Sequence, residues 1–314
     1  MTIEKIDFAN MLFPPSPDGW NVEGSDAPRF GWDELYLTKY NQAFSPWRFS
    51  KNCSAVLGYV RVHGLSDTMR KMADYLMSIV APHIESMGQY RYVRNDFQCK
   101  YLWVYMQPAF YGAFMNNVTA HGLLYLYEAT REERYLLLAD RLLMTSVDVD
   151  APVPLCSQVE EGMWLHEYVF QSELESIAWC DYMKNGKWNL ARVFNGHIHA
   201  LFTLMRFREM TKQDFYDDAI AESTRLMGSL LESQVYDNRY FSYCVEMPVY
   251  PDYGQERAML LAESLAELTR DESVMHGAQA LKKIWPEVKA NNAEIQTSGF
   301  SAAEKIYLSA VSKK

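Results

Sequence analysis

Four times along the chain a helical run ends in a short polar connection and a second helical run begins. The connections are 64–68 (GLSDT), 129–134 (ATREER), 210–215 (MTKQDF) and 268–273 (LTRDES). Around the second, Leu123, Leu124 and Tyr127 and then Leu136, Leu137, Asp140 and Leu143 show the three-and-four spacing of helices that bury one stripe. Thr130, Thr211 and Thr269 recur in three connections, and Glu133 and Asp214 follow the first two at capping-box spacing, which predicts Thr as the N-cap of each second helix. Helices joined so briefly must fold back on one another. The pattern predicts an all-α class: an α/α barrel (toroid) of about four or more helical hairpins over 46–314. An open stack of the same hairpins is the alternative. Residues 1–45 lack a period and hold Pro14, Pro15, Pro17, Pro28, Gly19, Gly24 and Gly31, so they read as an extended segment packed on the barrel.

Between the hairpins lie aromatic stretches at 88–111, 151–170 and 235–254. Each alternates in part, which predicts short β-hairpins in the loops. Tyrosines and tryptophans beside carboxylates suit sugars, whose rings present C–H faces and hydroxyls together.

Charge narrows the partners. Lys and Arg number 30 against 40 Asp and Glu, a formal charge of −10, so the average sign opposes nucleic-acid binding. No apolar run approaches the ~20 residues of a membrane span. Five cysteines (Cys53, Cys99, Cys156, Cys180, Cys244) are scattered without CxxC spacing, and the N-terminus has no apolar signal region. These features read as a cytoplasmic protein with reduced, mostly buried thiols. Neither GxGxxG nor GxxxxGK[ST] occurs, and no cofactor or metal is expected. A homodimer is compatible with such a chain.

Three segments could carry chemistry. Glu167-Tyr168 sets a carboxylate beside a phenol in an apolar, aromatic run, where burial favours proton exchange near neutral pH. Val193 to Phe202 opens an apolar helix. There Asn195 is a candidate cap, His199 is assigned to the cleft and His197 to packing, because residues two apart on a helix do not share a face. Asp252-Tyr253 follows Tyr240 and Tyr243, a third cluster of phenols. Arg91, Arg94, Lys100, Arg192 and Arg257 are candidate cations for an anionic sugar, and Tyr111 and Asn116 are further binding candidates. A hydrolase reading would pair Glu167 with Glu160, Glu161 or Asp252.

Trp164 to Tyr168, Val193 to His197 and Asp252 to Gly254 together resemble the C-terminal catalytic domain of D-glucuronyl C5-epimerases, over about residues 40 to 290. That family shows Trp-x-Glu-Glu-Tyr, Val-Leu-Asn-Gly-Phe and Asp-Tyr-His segments in this order, and its Ala-Met-Ala-Gln-Gly segment falls on Ala113 to Asn117. The resemblance implies an α/α barrel and C5 epimerisation of glucuronyl residues in a poly- or oligosaccharide. It implies catalysis by Glu167, Tyr168 and Tyr253. Tyr243 or Tyr240, with Asn195, His199, Tyr111, Asn116, Arg94 and Arg257, would bind the glycan. The chain departs from the family at Asn116-Asn117, at His197, at Gly254 and at Glu246, and it carries an insert at about 171–192 with Trp179, Tyr182 and Trp188. A glycoside hydrolase, a uronate lyase or a non-catalytic glycan-binding homologue are the other readings.

Overall fold

The structure, a computed structural model, describes residues 44–96, 99–101, 104–106, 108–170, 189–190, 192–236, 240–242, 244–245 and 255–290. Those residues form a mostly helical fold with short antiparallel β-hairpins. The helices are α1 (Pro46–His63), α2 (Asp67–Val80), α3 (Ala113–Thr130), α4 (Glu133–Val147), α5 (Phe194–Thr211), α6 (Asp217–Leu230), α7 (Gln255–Thr269) and α8 (Glu272–Ala290). They pair as the sequence repeat predicts: α1 with α2, α3 with α4, α5 with α6 and α7 with α8. The predicted N-terminal segment, the insert at 171–188, Cys180, Tyr243 and Tyr253 lie outside the described residues.

Burial separates the helices into two kinds. In α3 only Tyr127 and Glu128 escape burial, and in α5 every residue from Gly196 to Phe207 is buried. A helix apolar on all sides belongs inside. The second helix of each hairpin buries one stripe instead, as Met69, Ala73, Leu76 and Val80 do in α2. The odd-numbered helices pack side by side in the order α1, α3, α5, α7. Gly122 lets α1 and α3 approach closely, since a Cβ there would fall 2.8 Å from the Phe49 ring and 3.0 Å from Ser50 Cα.

The turns inside the hairpins correct the capping expectation. Thr130, Thr211 and Thr269 end helices rather than start them. Each hydroxyl donates to the carbonyl four residues back, to Leu126 (2.8 Å), Phe207 (2.8 Å) and Leu265 (2.9 Å). Each also accepts at 3.3 Å from the amide two residues on, in Glu132, Gln213 and Asp271. Between them stand Arg131, Lys212 and Arg270, with φ of 60°, 58° and 54°, a left-handed cap normally given to glycine. In the first hairpin Gly64 takes this place (φ 79°) and Ser66 Oγ caps α2 by accepting from Met69 N. An L-residue in the left-handed region is strained by ~1 kcal/mol. Lys212→Gly is therefore expected to stabilise the protein by about 0.5–1 kcal/mol, read as a rise of roughly 2 °C in Tm.

The other connections are long and carry the strands. Hairpin β1–β2 (Ile84–Met87, Tyr90–Val93) and hairpin β3–β4 (Cys99–Tyr101, Val104–Met106) precede α3. Hairpin β5–β6 (Cys156–Val159, Gly162–Leu165) and the pair β7–β8 (Val169–Phe170, Asn189–Leu190) precede α5. Hairpin β9–β10 (Val235–Tyr236, Tyr240–Phe241) precedes α7. All the long connections thus gather where α3, α5 and α7 begin. Cys53, Cys156 and Cys244 are buried, and no helix of the described residues is long and apolar enough to cross a membrane.

Candidate functional site

Glu167 sits in the segment 166–168 between β6 and β7, at the starts of two buried helices. The segment is pinned on both sides. His166 N donates to Leu155 O (2.9 Å), and His166 O accepts from Ala113 N (2.8 Å), one of the amides that a helix start leaves unpaired. Tyr111 and Val169 exchange a pair of backbone hydrogen bonds at 2.9 and 2.8 Å. His166 Nε2 lies 2.9 Å from Ser157 Oγ.

Two glycines make the fit. A Cβ at Gly112 would lie 1.8 Å from the Glu167 carbonyl oxygen, and one at Gly196 would lie 2.4 Å from Glu167 Cβ. Gly112 precedes α3 and Gly196 stands in the first turn of α5, so the root of Glu167 rests in a notch between the helices. Asn195 Nδ2 donates to Glu167 Oε1 at 3.2 Å, and Glu167 is 4% exposed.

Asn195 does not cap α5. Val193 holds that position, and the Asn195 side chain turns to the carboxylate instead. His197, the third residue of this run, accepts from Leu165 N through Nδ1 (3.0 Å) and faces Ser223 O through Nε2 (3.4 Å). Its ring stacks on Trp164 at 4.5 Å. The Leu165 amide is a donor, so Nδ1 must carry a lone pair and the neutral tautomer is the one that fits. Burial accordingly holds the His197 pKa down at about 4. Asn195, Gly196 and His197 therefore grip the chain from Leu165 to Glu167 residue by residue.

One turn further into α5, residues from the starts of α1, α3 and α7 come together. His199, one turn into α5, meets the Trp47 ring of α1 edge-on at 5.3 Å and the Phe114 ring of α3 at 5.8 Å. Arg257 of α7 lies 5.8 Å over Trp47. Burial first, and then the Arg257 charge, push the His199 pKa down to about 3. The first turns of α1, α3 and α5 contain no acid, whereas α7 carries Glu256 and α2, α4, α6 and α8 open on Asp67, Glu133, Asp217-Asp218 and Glu272. Helix starts carry positive partial charge, and those of α3 and α5 flank the Glu167 segment with no acid of their own.

Other sequence candidates spend their polar groups elsewhere. Asn116 is fully buried and spends its amide on the backbone: Oδ1 accepts from Val93 N (2.8 Å), and Nδ2 donates to Arg91 O (3.0 Å) and Leu142 O (3.2 Å). It ties β2 to α3 and α4, which corrects its assignment as a substrate contact. The Tyr111 hydroxyl donates to Glu85 Oε2 (2.8 Å), and burial together with this carboxylate raises its pKa well above the usual value. Arg94 pairs with Asp96 (2.5 Å) and Glu85 (3.7 Å). Tyr111 and Arg94 thus meet at Glu85 of β1. Arg91 donates to Gly88 O and Tyr90 O.

Tyr168 is half-buried and packs edge-on against Phe110 at 5.9 Å. Tyr240 pairs with Tyr236 in β9–β10. Glu160 and Glu161 sit at the exposed tip of β5–β6, at the far end of β6 from Leu165. Among the described residues no three His, Cys, Asp or Glu side chains gather to hold a metal. Asn117 enters the sequence reading only as a departure from the family segment, and its signal is that an amide in a helix buried on all sides must find partners. In comparisons with known proteins, no family model and no curated protein matches this chain.

Proposed function

We propose that the protein is a carbohydrate-active isomerase that epimerises a glucuronyl residue at C5, on an α/α barrel. The observation that carries this reading is the setting of Glu167: a buried carboxylate pinned in a two-glycine notch at the start of α5, whose next turn sets His199 against Trp47, with Arg257 over the Trp47 ring. The Arg257–Trp47 contact joins the fourth odd-numbered helix to the first, which supports a closed ring over an open stack.

Epimerisation moves one proton off C5 and returns another from the opposite face. The Glu167 carboxylate takes the C5 proton, the C–H electron pair spreads into the sugar carboxylate, and positive charge nearby stabilises the dianion that develops. A phenol, Tyr168 or Tyr253, protonates the other face. The substrate is a short or weakly charged uronate glycan, in keeping with the formal charge of −10.

The test is deuterium wash-in at C5 of a glucuronyl oligosaccharide in D2O. Wild type is expected to exchange, and Glu167→Gln to lose exchange by about 10²-fold or more, the usual effect of a missing general base. Folded wild type that exchanges no uronate glycan would remove the isomerase reading. New reducing ends, or absorbance of an unsaturated product, would mark a hydrolase or a lyase instead.

A further inference from the structure

The wall between α3 and α5 holds buried polar atoms that no described residue satisfies. The two helices run parallel, both starting at Glu167, and His121 Nδ1 meets Thr203 Oγ1 at 3.3 Å. One turn nearer the site, the same register sets Asn117 opposite His199. Phe114, three residues before Asn117, is the ring that touches His199. Asn117 is fully buried and His199 is 4% exposed. Asn117 Nδ2 donates to Ala113 O at 2.7 Å, but among the described residues Asn117 Oδ1 has no hydrogen-bond partner, and neither has His199 Nδ1. A buried polar atom in that state is costly, and such atoms gather where something else completes them.

The chemistry of the missing partner follows from the two atoms. Asn117 Oδ1 can only accept, which rules out a carboxylate as its neighbour. An ammonium could donate to both atoms, but Arg257 and the helix starts repel a cation. A hydroxyl donates one hydrogen bond and accepts others, so it can give its proton to Asn117 and receive one from the imidazole. Trp47 and Phe114, 4.8 Å apart, supply apolar walls beside it. We propose that Asn117 and His199, one turn into α3 and α5 from the helix starts that seat Glu167, form a subsite for one hydroxyl of a polyhydroxylated ring. The subsite rests on the reading of this cleft as a glycan site, and it assigns specificity to two residues that take no part in the proton transfer.

Calorimetric titration tests it. Wild type and Asn117→Ala are titrated with methyl β-D-glucopyranosiduronate, with its 2-, 3- and 4-deoxy analogues, and with neutral methyl β-D-glucopyranoside and the same deoxy series. In wild type one deoxy analogue is expected to bind about tenfold or more weakly than its parent, because its absent hydroxyl leaves both buried atoms bare. In Asn117→Ala that difference is expected to shrink or vanish. Equal losses in the two proteins, or no loss for any analogue, overturn the subsite. The neutral series separates this proposal from the isomerase reading. An Asn117-dependent pattern with the neutral glycosides, in protein that exchanges no uronate proton, keeps the subsite and ends the epimerase. Wild type that binds neither glycoside ends the subsite. Should Asn117→Ala fail to fold, the 15N resonances of His199 in wild type decide: the parent glycoside shifts them and the critical deoxy analogue does not, whereas an unchanged spectrum with the parent overturns the proposal.

Discussion

Urea midpoints are expected to stay level above about pH 7 and to fall steeply below about pH 6.5, with loss of the fold between roughly pH 5 and 4. The cause is the set of histidines buried in α3 and α5. His197 and His199 are held at about 4 and 3 in the folded protein, and His121, fully buried beside Arg206 and His199, is held well below the ordinary value. In the unfolded chain all three titrate near 6.5. Below that pH the unfolded state binds protons that the folded state refuses, so stability drops as pH falls toward the folded values. His197 and His199 each contribute a loss of about 2 kcal/mol at pH 5 and about 3 kcal/mol at pH 4. Two such losses compare with the ~5–15 kcal/mol that holds a domain together. The measurement is a urea series from pH 7.5 to 4.5 on wild type, His197→Gln and His199→Gln. Each variant is expected to show a shallower acid slope, by close to one proton. Midpoints that hold steady down to pH 5 would show that these imidazoles are not kept neutral by burial.

The second large effect belongs to the glycine notch. Gly112→Ala would drive a methyl group into the Glu167 carbonyl, a backbone atom that cannot rotate away. Relief requires 166–168 to shift, which breaks the Ala113–His166 bond and the Tyr111–Val169 pair. With overpacking, the expected cost is about 4 kcal/mol. Gly196→Ala presses on the root of the Glu167 side chain instead, so its expected cost is smaller, about 1–3 kcal/mol, and the carboxylate moves off the Asn195 amide. Gly58, in the middle of α1 with nothing within 4 Å of an added Cβ, is the control: Gly58→Ala is expected to stabilise by up to about 1 kcal/mol. Thermal melts of the three variants should rank Gly58→Ala above Gly196→Ala and Gly196→Ala above Gly112→Ala. A Gly112→Ala protein as stable as wild type would mean the segment does not pack as described.

The helical hairpins were readable because burial leaves a periodic trace, and the contrast between α3 and α2 is written in which faces are apolar. The threonine turns were misread for a physical reason. A Thr three residues before an acid has the same spacing whether it opens one helix or closes the previous one, and the cap that would have settled it is Arg or Lys rather than Gly. The Glu167 segment was picked out by residue type and by family resemblance, but its notch was not, because Gly112 and Gly196 are far apart in the chain and meet only through a third segment. Asn116 and Asn117 are adjacent and chemically identical. One spends its amide on three backbone groups and the other keeps an unmatched oxygen, a distinction set by which side of α3 each one faces.

The notch also has a bearing on how the protein comes to exist. Glu167 is seated only when the beginnings of α3 and α5 are both in place, and Arg257 reaches Trp47 only once α7 has docked. During synthesis the carboxylate is made before the helix that completes its seat, and the guanidinium is made later still. A nascent chain halted before α7 can hold several finished hairpins and still lack the Arg257–Trp47 contact between the last hairpin and the first, so that contact would report arrival of the last hairpin rather than of any one earlier piece.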